Sequence, residues 1–200
     1  IPDPIPSPLI AGAASSQMLI RAIETNTNTG ACQARVAGTR SVDMAYECTD
    51  PTSCINNRDL TINGTAIEEN NVNNIVDYQA VNLTFDAEGE APFTLNYADV
   101  GNIRLHAELT IPASGPDPAV TLDGVSATTT VRPASVVITT IESASAAANP
   151  GTTTTGAGFV VAGEAFRVTV QVRNALGALT PNFGNEIVSE GLLLNSVSLV

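Results

Sequence analysis

Lysine and tryptophan are absent from these 200 residues, histidine occurs once, cysteine three times, and aromatics make up 4%. A single His and no Lys remove most general-base, Schiff-base and zinc-ligand options. No Trp and only three Tyr leave little from which to build the exposed aromatic platforms usual in carbohydrate-binding modules. Charge is scarce too, at 14% against about 25% in an ordinary soluble domain. All eight basic residues are Arg, and against twenty acids they leave a net charge of −12. Nucleic acids and anionic membranes need a cationic face, so neither is an expected partner. No run of 18 apolar residues occurs, so no membrane-spanning helix is expected. No signal peptide is visible. The chain starts at Ile1 in a Pro-rich stretch and reads as an excised piece of something longer.

What is present favours strands. The hydrophobic share is 44%, enough for a real core in a chain of this length. Polar bulk comes from 23 Thr and 17 Asn. Thr with Val suits strands, and Asn with Gly and Pro suits turns.

Period-2 alternation runs along most of the chain. Val42, Met44, Tyr46 and Cys48 alternate with Asp43, Ala45 and Glu47. Val81, Leu83 and Phe85 alternate with Asn82 and Thr84, and Phe93, Leu95 and Tyr97 follow. The cleanest strand sets Ile103, Leu105, Ala107 and Leu109 against Arg104, His106, Glu108 and Thr110. Alternation of this kind marks antiparallel strands with one wet face. Residues 66–78 do not alternate strictly and suit a loop or a short helical turn. After Arg132-Pro133, strands are expected at Val136–Ile141, Phe159–Val161, Phe166–Val172 and Ile187–Val200, with NALG and TPNFGN as turns. No amphipathic helix of ten residues emerges.

The expected fold is therefore all-β: tandem immunoglobulin-like antiparallel β-sandwiches, the second incomplete. Residues 1–16, with prolines at 2, 4, 6 and 8, read as a linker or an arm on a neighbour. Residues 17–133 read as the first sandwich, carrying the disulfide. Residues 134–200 read as a second Ig-like unit, too short for the roughly 100 residues of such a domain. Its apolar end, residues 192–200, would leave an open edge that recruits strands, unless the missing strands follow in the same chain.

Candidate sites are few. Cys48 and Cys54 flank TDPTS, where Asp50-Pro51 can turn the chain and bring them together. Cys32 looks core-facing, and Cys32–Cys48 is sterically possible as well. Three cysteines allow three single bridges, with Cys48–Cys54 the leading one. Bridges of either kind place the chain in an oxidising compartment. Asp86, Glu88 and Glu90 cluster around Gly89. Calcium favours such oxygens, but the segment lacks an EF-hand's length and spacing, so a solvated hairpin turn is the expectation. His106, between Arg104 and Glu108, is expected to pair with a carboxylate across the sheet. No nucleophile motif accompanies it. Asn63-Gly64-Thr65 and Asn82-Leu83-Thr84 match glycosylation acceptors, which recur by chance in an Asn/Thr-rich chain. No catalytic residue, cofactor or metal is expected.

Several segments together resemble a known family. ACQARVAGTRSVDMAYECTDPTSC, LTINGTAI and VNLTFDAEGEAPFTLNYADVGNIRLHAEL look like the C-terminal region of MshQ-type proteins. These are encoded with the mannose-sensitive haemagglutinin pilus of Gram-negative bacteria. VRPASVVITT and FVVAGEAFRVTVQVRNALGALTPNFG continue the likeness, which covers residues 18–185. The resemblance implies a large surface-exposed, pilus-associated protein built of β modules, with no catalytic residues to carry over. The expected function is a non-enzymatic, extracellular structural or adhesive module. It would meet neighbouring β modules or pilus subunits by strand or edge contacts. A carbohydrate-binding module, or an accessory domain of a larger secreted enzyme, is the alternative.

Overall fold

The computed structural model describes residues 5–25, 30–54, 60–113, 115, 118–151, 153, 155–156 and 158–187. None of these is helical, and fifteen strands run through them. The first four are β1 (Leu9–Ile10), β2 (Met18–Arg21), β3 (Ile23–Thr25) and β4 (Cys32–Ala34). The long β5 (Gly38–Asp50) precedes β6 (Leu60–Ile62), β7 (Thr65–Asn70) and β8 (Gln79–Phe85). Then come β9 (Glu90–Phe93), β10 (Leu95–Tyr97), β11 (Gly101–Ile111), β12 (Val120–Val125) and β13 (Thr129–Arg132). The last two are β14 (Ser135–Ser143) and β15 (Phe166–Arg173).

A nine-stranded sheet dominates, in the order β1-β13-β11-β5-β7-β6-β10, with β12 also on β11 and β8 also on β5. Along β11, Ile103, Leu105, Ala107 and Leu109 are buried, and β8 buries Val81, Leu83 and Phe85, as their alternation predicts. Tyr46 on β5 and Tyr97 on β10 lie three strand positions apart on this path, roughly 14 Å in a flat sheet. Their rings are nevertheless 5.8 Å apart, edge to face. The sheet therefore folds over on itself, and the core fills the space between its two halves. The β2–β9 pair adds Met18, Ile20, Ala91 and Phe93 to the same cluster.

The segment 90–97 reads as one strand by alternation but changes partner in the middle. β9 pairs with β2 and β10 with β6. At the break, the Thr94 amide donates to Asn63 Oδ1 at 2.9 Å. Asn63, with φ 50°, and Gly64, with φ 83°, form the tight turn between β6 and β7, as Asn-Gly dictates.

Two pairings are parallel, β1 with β13 and β5 with β7. The first corrects the reading of residues 1–16 as a linker or an arm on a neighbour. From Ile5 onward the segment belongs to its own chain's core: Ile5, Leu9 and Ala11 are buried. Ala11 donates to the Arg132 carbonyl at 2.8 Å, and Gly12 to the Tyr97 carbonyl at 2.7 Å. Ile5, between two prolines, and Leu9 and Ala11, just after the last proline of the segment, pack at the sheet edge, where a proline loses no ladder hydrogen bond. The stretch 66–78, expected as a loop or helical turn, opens with strand β7 and continues as a loop.

Beyond Pro133, β14 and β15 form a separate antiparallel pair. Phe159–Val161, expected as a strand, is not one; the Phe159 ring instead packs on Phe166 at 6.2 Å. Residues 188–200, which hold most of the last expected strand and the apolar end at 192–200, lie outside the described residues.

Candidate functional site

The two β regions meet at a junction built from turns. On one side the YADVG segment leaves β10 and bends into β11, presenting the Ala98 carbonyl, the Asp99 carboxylate and the Val100 carbonyl. On the other, the chain leaves β15 through Asn174-Ala175-Leu176-Gly177 and then Thr180-Pro181-Asn182-Phe183-Gly184. An Asn side chain suits such a place because it carries one acceptor and two donors in one plane. Asn174 uses its Oδ1 to accept from Leu176 and Ala178, each at 3.0 Å. That shapes its own turn and leaves Nδ2 to reach the Ala98 carbonyl at 2.9 Å. The next amide, Ala175 N, donates to the Ala11 carbonyl at 2.8 Å.

Asn182 is completely buried, with Asp99 beside it. Its Nδ2 donates to Tyr97 Oη at 3.1 Å and to the Val100 carbonyl at 3.1 Å. Its backbone N–H reaches Asp99 Oδ1 at 3.2 Å, and Phe183 packs against the core. Burial, with Tyr46 and the Asp99 charge behind it, pushes the Tyr97 hydroxyl well above the ordinary tyrosine range. Tyr97 therefore stays a neutral partner here. A cleft of about 380 Å³ is lined by residues of both regions, among them Asp50, Asn102, Thr130, Arg132, Phe183 and Glu186.

Residues 3–125 match the family model described as a domain of unknown function (DUF6701), first Ig-like domain, and residues 132–200 match the DUF6701 second domain. The chain belongs to the DUF6701 family. No curated protein and no solved structure matches it. In the DUF6701 chain the junction thus joins residues of the first family domain to residues of the second.

The sequence-predicted sites lie elsewhere. Cys48 and Cys54 form a disulfide, with Cα atoms 5.5 Å apart. Cys32 is a free thiol and exposed, against the expectation of a core-facing residue. Among the described residues β4 pairs only with β3, a two-stranded hairpin apart from the large sheet, and Cys32 lies at its exposed end. In the 86–90 turn, Asp86 Oδ1 accepts the Glu88 and Glu90 amides at 3.0 and 2.8 Å. Glu90 Oε1 takes the Arg21 Nε at 2.7 Å, so the cluster is a hairpin turn closed by its own backbone. Among the described residues, no group of three His, Cys, Asp or Glu is placed to hold a metal ion.

His106 Nε2 lies 3.3 Å from Glu47 Oε1, a cross-sheet pair as expected. The surprise is Glu47 itself. Alternation assigns it to the wet face, yet it is 1% exposed. The turn after β7 covers it, and its Oε2 accepts the Asn73 amide at 2.6 Å. Arg104 Nη1 lies 3.4 Å from Oε1. Sequence reading missed the junction residues as well. A docked turn and a solvated turn have the same Asn/Pro/Gly composition. The one available signal was an acid, Asp99, set among apolar neighbours.

Apolar side chains of the second domain are exposed on β14 and β15. On β14, Val136 and Ile138 are 51% and 58% exposed, and on β15 Phe166 is 45% exposed.

Proposed function

We propose that this chain is a non-enzymatic structural or adhesive module of an extracellular, pilus-associated or cell-surface appendage protein of a Gram-negative bacterium. It is of the MshQ type that its motifs resemble. The junction carries this reading. Two β domains tied by buried amides at Asn174 and Asn182 hold a set orientation, which a stalk of modules needs and a flexibly linked enzyme accessory does not. The disulfide supports an oxidising compartment, and no helix among the described residues is long and apolar enough to cross a membrane. Its partners are neighbouring β modules or appendage subunits, met through strand or edge contacts at exposed apolar sheet surface such as Val136 and Ile138. Protease shaving of intact cells, with blotting of sheared appendage fractions, tests this. The full-length protein is expected in the sheared fraction and digestible from outside. A protease-protected cytoplasmic pool would overturn the reading.

A second reading, a carbohydrate-binding module, draws on the junction cleft. Its volume of about 380 Å³ falls within the range of small-ligand sites, which favour domain interfaces. It sets an aromatic ring, Phe183, beside Asp50, Asn102, Arg132 and Glu186. Reproducible glycan-array binding that Arg132→Ala abolishes would promote this reading over the first.

A further inference from the structure

We infer that the Cys48–Cys54 disulfide holds the seat on which the second domain docks, so that its reduction releases that domain while the nine-stranded sheet stays folded. The bridge spans a sequence separation of six. A loop that short restrains less of the unfolded chain than a long one does, and in the folded chain what it holds is local. The local structure it fixes is one wall of the junction. Cys48 Sγ lies 3.6 Å from Tyr97 Oη. A disulfide sulfur has no proton, so the Tyr97 hydroxyl donates to it and in turn accepts from Asn182 Nδ2 at 3.1 Å. Sulfur, phenol and amide thus form one relay from the bridge into the second domain.

The turn closed by the bridge makes a second contact. Asp50 Oδ1 accepts the Ile187 amide at 2.8 Å. The turn itself is pressed against the bend into β11. A Cβ built on Gly101 would stand 2.6 Å from the Asp50 carbonyl oxygen, and Thr49 Oγ1 donates to the Asn102 carbonyl at 3.1 Å. Asp50, Gly101 and Asn102 all line the junction cleft. Of the contacts that hold the second domain, those at Tyr97 and Asp50 pass through the seven residues from Cys48 to Cys54 or touch them directly. Those at Ala11, Ala98, Asp99 and Val100 do not. Reduction therefore loosens the joint and leaves the strand ladders intact. In that step a dithiol reductant closes to its own disulfide and gives up two electrons and two protons; the electrons break the Sγ–Sγ bond, and the protons are taken up by Cys48 and Cys54, which become thiols.

Hydrogen exchange on the full chain tests this, oxidised and after dithiothreitol, in a Cys32→Ser background that removes the third thiol. Exchange in residues 174–187 is expected to rise about tenfold on reduction, with 101–111 unchanged. Asn182→Ala with the bridge intact is expected to raise exchange in 174–187 similarly, and reduction of that variant should add less than the full tenfold, because the Tyr97 relay is already broken and only the Asp50 contact is left for reduction to loosen. Faster exchange confined to residues 49–54 would overturn the inference. So would an equal rise in 101–111, or a full further tenfold rise on reducing the Asn182→Ala variant.

Discussion

Asn182 of the second domain donates its side-chain amide to Tyr97 Oη of the first at 3.1 Å, inside a contact from which solvent is completely excluded. A buried donor and acceptor joined across two domains hold them at a fixed angle, because any sliding strands both groups without water.

Asn182→Ala is therefore expected to weaken the joint more than its small volume change implies. It takes the buried donor away from Tyr97 Oη and the Val100 carbonyl together, at a cost of about 2 kcal/mol. Urea unfolding should show a lower midpoint. Asn182→Asp should cost at least as much, because it removes both donors and sets a second carboxylate beside Asp99.

Glu47→Ala is expected to lower stability by about 2 kcal/mol, because it leaves Arg104, His106 and the Asn73 amide without their shared acceptor. Arg104 is 39% exposed and recovers water, which keeps the loss below that of a fully buried pair. Glu47→Gln keeps an oxygen for Asn73 and should lose less than about 1 kcal/mol. Chemical denaturation of the two variants in parallel measures the difference.

Gly101 and Gly64 both have positive φ, but only Gly101 is hemmed in. At Gly101, φ is 128° and an added Cβ meets the Asp50 carbonyl oxygen at 2.6 Å. At Gly64, φ is 83° and nothing lies within 4 Å. Gly64→Ala should cost about 1 kcal/mol from backbone conformation alone. Gly101→Ala should cost about 3 kcal/mol, because backbone must move as well. Thermal melts should rank wild type, Gly64→Ala and Gly101→Ala in that order.

Tyr78 is pushed up to about 12, by burial first and then by its hydrogen bond to Glu108 and the charges of Glu108, Asp123 and Asp43. The fold thus favours the neutral phenol. That stabilisation is fully present below the unfolded value near 10 and is lost as pH rises towards 12. Stability of the wild type is expected to fall more steeply than that of Tyr78→Phe between these limits. Denaturation midpoints taken across that pH range check it.

Strand identity in this chain was legible because burial on one face imposes a period of two. β8 and β11 alternate cleanly, and their inward residues are the buried ones. The Cys48–Cys54 bridge was legible for a different reason: like the Asn63-Gly64 turn, it is set by chemistry within a few residues. Pairing over long sequence distances was not. Nothing local tells β7 to lie parallel to β5, and that pairing brings the turn that turns Glu47 from an exposed acid into a buried one. Cys32 alternates like a core residue, but among the described residues its strand pairs only with β3, and Cys32 is exposed. The prolines of the first sixteen residues exclude a central strand, yet only the edge offered by β13 gives Leu9 and Ala11 a place to be buried. Asn174 and Asn182 belong to turns in any reading. What they hold depends on which backbone groups another domain leaves unpaired beside them, and tertiary packing alone decides that.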